Sequence, residues 1–204
     1  MKFRSDINGL RAIAVIAVVL FHFGVPGFSG GFIGVDVFFV ISGYLMTGII
    51  FSKIENKSFS LVGFYLDRGR RIIPALLFVC IAVLILGWLF LLPADFKVLG
   101  KDVASSVSFL SNIIYFRRSA DYFSVSAHEM WLLHTWSLAV EWQFYIIYPI
   151  IVLALSRLFN LKKLKVILVI LAINSYLYSI YLSNINTSAA FYLLPTRAWE
   201  MLLG

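Results

Sequence analysis

Arg11 and His22 are ionisable residues standing in the first apolar stretch of a 204-residue chain. In a helix, eleven residues at about 100° each make three turns plus roughly 20°, so the two share one face, about 16 Å apart along the axis. A charge at the centre of a membrane helix costs about 2.5–3.5 kcal/mol on insertion scales, so each invites a functional reading. The plain alternative is an arginine that snorkels to the interface and a histidine that packs through a hydrogen bond. Asp36, just inside the next apolar stretch, favours chemistry. The turn over 24–31 is short, and antiparallel pairing puts His22 and Asp36 at similar depth. A carboxylate beside an imidazole fixes its tautomer and stabilises its charged form, as a proton-transfer catalyst needs. An ion pair that only pins two helices is the other reading.

Further along the chain, Ser42 opens a Ser-Gly-Tyr run. It could be a nucleophile, but no histidine is near it in sequence, and a serine–glycine pair that lets helices approach closely is simpler. Arg68 and Arg71 are three apart and face the same way if helical. Guanidinium groups grip phosphate through bidentate bonds, although arginines beside a span are also ordinary cytoplasmic anchors. His134 and Glu141 are seven apart, on one face within about 20°. Glu141 could hold a sugar hydroxyl or act as a second base, and His134 and Trp136 serve either acceptor contact or structure. An aromatic interface belt with a hydrogen-bonded Glu141 is the alternative. His22, His128 and His134 show no metal-ligand spacing, and the chain has no phosphate-cradling glycine loop, so neither a metal nor a bound cofactor is expected.

The elements that must position these residues are membrane helices. Hydrophobic residues make up 61% of the chain and charged ones 13%, far from soluble proportions. Runs of about 20 apolar residues predict an all-α, polytopic transmembrane bundle. Spans are expected near 8–24, 31–51, 72–92, 136–155, 166–182 and 191–204, with 103–116 re-entrant or lying on the surface. The net charge of +7 suits cytoplasmic loops beside anionic lipid, and no basic soluble face suggests nucleic acid. Basic residues at Lys2 and Arg4, at Lys53 to Arg71, and at Arg157 to Lys165 put the N-terminus inside. The single cysteine, Cys80, cannot form a disulfide within the chain. No cleavable signal is evident.

The joint pattern resembles the membrane acyltransferase-3 family, nearest to bacterial O-antigen acetylases. Arg4 to Val15 followed by His22 matches its opening. Gly34 to Gly43 matches its second-helix signature, Arg68 and Arg71 its arginine pair, and His134 to Leu138 with Glu141, Gln143, Phe144 and Tyr145 a further block. Residues 195–204, with Arg197, Trp199 and Glu200, match one more. Trp142 departs from the second acid usual beside Glu141, and His128-Glu129-Met130-Trp131 also differs. The resemblance implies an integral O-acetyltransferase of the bacterial inner membrane. It would take acetyl-CoA as co-substrate, bound by Arg11, Arg68 and Arg71. The acceptor would be a carbohydrate, lipid-linked or not, such as lipopolysaccharide O-antigen. His22, Asp36 and Glu141 would be catalytic. The resemblance also implies a C-terminal remainder that this chain lacks. From the residues alone, a transporter relaying protons through His22, Asp36 and Glu141 and an inactive fragment stay open.

Overall fold

The computed structural model describes residues 4–118 and 130–204; the His128-Glu129 departure lies outside them. Helix α1 (Ser5–His22) ends in a turn where the Val25 amide donates to the Leu20 carbonyl and Gly24 to Phe21, both at 3.0 Å. Gly24 sits there at φ +65°, the left-handed cap that glycine takes without penalty. A 3-10 turn (Gly31–Ile33) then feeds α2 (Gly34–Glu55). Helix α3 (Leu61–Phe90) starts at an N-cap where Ser60 accepts from the Gly63 amide at 3.2 Å. Helices α4 (Pro93–Val107) and α5 (Ser111–Arg118) are short. Helix α6 (Thr135–Leu158) and helix α7 (Leu161–Ile185) follow, the latter capped by Asn160. The chain continues as α8 (Thr187–Tyr192) and α9 (Leu194–Leu203).

Among the described residues, five stretches are long and apolar enough to cross a membrane: α1, Gly31–Glu55, α3, α6 and α7. In the α1 and α7 windows only 11% and 6% of residues are buried, which leaves their apolar sides to lipid. The chain is a multi-pass, all-helical membrane protein. Its interior lies around α2, α6 and α9, with Phe39, Met46, Val140, Phe144, Tyr192 and Met201 in one buried cluster. A smaller cluster, including Leu76, Cys80, Leu99 and Ala139, joins α3, α4 and α6.

Cross-helix bonds fix the register. Ser42 meets Glu141, and Thr47 meets Tyr148 at 2.8 Å; both numbers rise together, so α2 and α6 run parallel. The Tyr65 hydroxyl donates to the Ile146 carbonyl at 2.8 Å, while Gly69 faces Trp142, so α3 runs antiparallel to α6. The basic ends of α2 and α6 therefore share one side of the bundle with the start of α3.

Three boundaries differ from the expected spans. Helix α3 begins eleven residues before 72, so Asp67 to Pro74 is helix and not loop, and Pro74 lies inside it instead of in its first turn. A proline inside a helix removes one backbone bond, a loss that membrane helices tolerate. At 30 residues, about 45 Å, α3 is longer than a hydrocarbon layer of about 30 Å, so its arginine-bearing start reaches beyond it. The expected stretch 191–204 is broken at Leu193, which is extended at φ −89°, ψ 141°, and Pro195, in the first turn of α9, has no N–H to continue the helix by bonding the Phe191 carbonyl. The third is 103–116, which falls on the end of α4 and most of α5, tied inward by polar bonds. Ser111 Oγ donates to the Thr135 carbonyl at 3.0 Å, Gln143 Nε2 to the Phe109 carbonyl at 2.9 Å, and Asn112 Nδ2 to the Tyr192 carbonyl at 3.0 Å. Asp102, buried on α4, is held by Arg118 of α5. Burial raises its carboxyl above the ordinary range, and Arg118 opposes that.

Candidate active site

A cavity of about 370 Å³ opens between α1, α2 and α6. Helix α1 lines it with Arg11, Val15, Val18 and His22, the i, i+4, i+7, i+11 row of one helical face. Helix α6 faces it with His134, Ser137, Leu138 and Glu141, again one row. Phe38, Phe39 and Trp136 complete the wall. The face shared by Arg11 and His22 thus turns toward α6 and not toward lipid alone.

The two histidines meet at one end. Their rings stand edge to face, 4.4 Å between centroids. His22 Nδ1 lies 2.7 Å from the Val18 carbonyl. A carbonyl only accepts, so Nδ1 carries the hydrogen and Nε2 holds the lone pair of the neutral ring. Helix α1 therefore fixes the tautomer of its own histidine, a task the sequence reading gave to Asp36.

Asp36 is placed elsewhere. Its Oδ1 accepts from Arg197 Nη1 of α9 at 3.1 Å. The expected pairing with His22 is replaced because depth alone does not aim a side chain. Asp36 is turned about 100° from Val35, which lines the cavity, and α9 packs on that other side of α2. Arg197 also donates to Glu200 Oε1 at 2.7 Å and, through Nε, to the Phe191 carbonyl at 3.0 Å.

Glu141 marks the middle of the cavity. Its Oε1 accepts from the Ser42 hydroxyl and from the Tyr145 hydroxyl, the latter at 2.5 Å. The Ser42 hydroxyl thus braces Glu141 from α2. One turn deeper, Arg68 lies within electrostatic reach of Tyr145 and Glu141. Its guanidinium sits over the Phe64 ring at 5.9 Å, and its buried Nε has no hydrogen-bond partner. Arg71 shares that side of α3 but is exposed. Arg11 lies over the Phe38 ring at 5.8 Å. The structure therefore gathers Arg11, His22, His134, Trp136 and Glu141 around one space, brings Ser42 and Arg68 to its lower end, and leaves Asp36 behind the wall. The sequence reading gave no role to Tyr145, Arg197 or Glu200, although an Arg and a Glu three residues apart in an apolar end segment were a visible signal.

The acyltransferase-3 family model, described as an acyltransferase domain, matches residues 4–204. The chain belongs to the acyltransferase-3 family. Among its acyltransferase-3 relatives, the peptidoglycan O-acetyltransferase OatA of Listeria monocytogenes is 38% identical over 207 residues, covering 100% of this chain and 33% of the relative. The O-acetyltransferase OatA of Staphylococcus aureus is 34% identical over 206 residues, covering 100% of this chain and 34% of the relative. The chain spans about a third of the length of these relatives. No solved structure matches it.

Proposed function

We propose that this acyltransferase-3 chain carries out the transfer of an acetyl group from acetyl-CoA to a hydroxyl of an envelope carbohydrate. The observation that carries the reading is one cavity of about 370 Å³ lined by Arg11, His22, His134 and Glu141, with Tyr145 bonded to Glu141 and Arg68 within electrostatic reach of both. Family membership and relatives named as O-acetyltransferases support acyl transfer over proton-coupled transport.

In this reading the basic side of the bundle is cytoplasmic, in the bacterial plasma membrane, by the bias of Lys and Arg toward that side. The phosphates of acetyl-CoA bind Arg68 and Arg71, with Arg11 along the path, and the acetyl end reaches into the cavity. His22 Nε2 takes the proton of the acceptor hydroxyl as its oxygen attacks the thioester carbon. The new O–C bond forms, the C–S bond breaks, and the departing thiolate receives the proton. His134 stands beside the acceptor, and Glu141, braced by Ser42 and Tyr145, orients it. Peptidoglycan is the first acceptor to test, because one relative is named for it; lipopolysaccharide O-antigen is the second.

The test is an acetyl-transfer assay on full-length protein in liposomes, supplied with acetyl-CoA and each glycan. Transfer to one glycan is expected, and Arg68→Ala with Arg71→Ala raises KM for acetyl-CoA about tenfold or more, as loss of a charge-assisted phosphate grip of about 1.5–3 kcal/mol requires. An unchanged KM contradicts the donor assignment, and solute flux without acetyl product contradicts the reading as a whole.

A further inference from the structure

Arg197 ties three elements together at a point behind the cavity. Nη1 bonds Asp36 of α2 and Glu200 of α9, and Nε bonds the Phe191 carbonyl at the end of α8. Held at these points, the planar guanidinium lies over Phe191 at 4.9 Å and over Trp136 of α6 at 5.7 Å. Trp136 is 2% exposed. It packs edge-on against Phe39, 6.2 Å between centroids, and both line the cavity that holds His22 and His134.

The network sets two carboxylates against one guanidinium, and Glu200 is 1% exposed with an Oε2 that has no hydrogen-bond partner. Burying that much charge is unfavourable unless geometry repays it. Pinning α9 to α2 does not require it, because Gly43 already lets the Met201 backbone approach α2 closely. What the ions add is direction: three fixed bonds orient one flat cation on one indole.

We infer that Arg197 is a positioning residue for acyl transfer: held by Asp36 and Glu200, it presses on Trp136 and so sets the wall against which the acceptor lies beside His22 and His134. The inference rests on the proposed function and adds a residue outside the cavity that controls its shape. It also gives Asp36 a place in the reaction other than as a partner of His22.

Arg197→Lys is the informative variant, since it keeps the charge that balances Asp36 and Glu200 but loses the flat face and the Nε–H bond. Full-length protein is labelled with 5-fluorotryptophan, and the Trp136 resonance is assigned through Trp136→Phe. Arg197→Lys is expected to shift that resonance and to lower kcat about 10²-fold, the scale of a small misplacement at a reacting centre, with KM for acetyl-CoA unchanged. Adding Trp136→Leu is expected to cost no more than Trp136→Leu alone, because both act through one contact. An unmoved resonance, an unchanged kcat, or losses that multiply overturn the inference. Should Arg197→Lys not accumulate, Asp36→Asn is read the same way, with the same signs. A wild-type protein that transfers no acetyl group refutes the proposed function, and the resonance then decides the positioning claim alone.

Discussion

Glu141 is anchored by two hydroxyls on a single oxygen, and that arrangement decides what Ser42 is for. A hydrogen bond contributes about 1 kcal/mol net, and about 1.5–3 kcal/mol where one partner is charged. Ser42→Ala removes one of the two donors and leaves Tyr145 in place. It is therefore expected to lower thermal stability in detergent by an amount in that range and to slow transfer modestly, where loss of a nucleophile abolishes it. Residual rate in a transfer assay, measured with the melting temperature, checks this; complete inactivation of a well-folded variant contradicts it. At this scale the sequence conveyed which residues are anomalous, since Arg11, His22 and Glu141 in apolar helices stand out by cost alone. It conveyed less about partners. Asp36 and His22 sit at matched depth, yet direction around α2 and the arrival of Arg197, some 160 residues later in the chain, decide the pairing.

Helix ends were legible where local chemistry acts alone, as at the turn after α1. They were misplaced where two signals compete. Arg68 to Arg71 read as a loop ahead of a span starting at 72, yet α3 runs through them because Tyr65, Arg68 and Gly69 face α6. The stretch 103–116 read as re-entrant or surface-lying, and the bonds of Ser106 and Ser111 to Thr135 are a tertiary fact that no local window contains. Close packing gives this scale its prediction. A Cβ at Gly43 would overlap the backbone of Met201, so Gly43→Ala forces α9 off α2. Overpacking of this kind costs about 1–3 kcal/mol, and here the displaced helix carries Arg197. A lowered melting temperature together with a loss of transfer is expected; wild-type stability contradicts the close α2–α9 contact.

For the molecule as a whole, the proposed orientation, with the basic side cytoplasmic, puts the connection between α6 and α7 inside the cell and the one between α7 and α8 outside. Cys80 is the only cysteine and is 2% exposed, so a Cys80→Ala background is free of competing thiols. In it, Asn186→Cys is expected to react with a membrane-impermeant maleimide on intact cells, and Lys163→Cys only after lysis. The reverse pattern inverts the orientation and with it the side from which acetyl-CoA enters. The all-α membrane class was readable from hydropathy, because lipid imposes its length and polarity on every span, and the family from the resemblance its motifs carry. The way α9 folds back on α2 was not, since it depends on one proline and one distant ion pair.

The central claim is that His22, aimed by its own helix and set beside His134, handles the proton of the acceptor hydroxyl. The measurement that tests it most directly is the initial rate of acetyl transfer by full-length His22→Ala, at membrane levels and melting temperature matched to wild type. A fall of about 10²–10⁴-fold, the usual contribution of a general base, is the predicted result. A rate within the wild-type range would contradict the account.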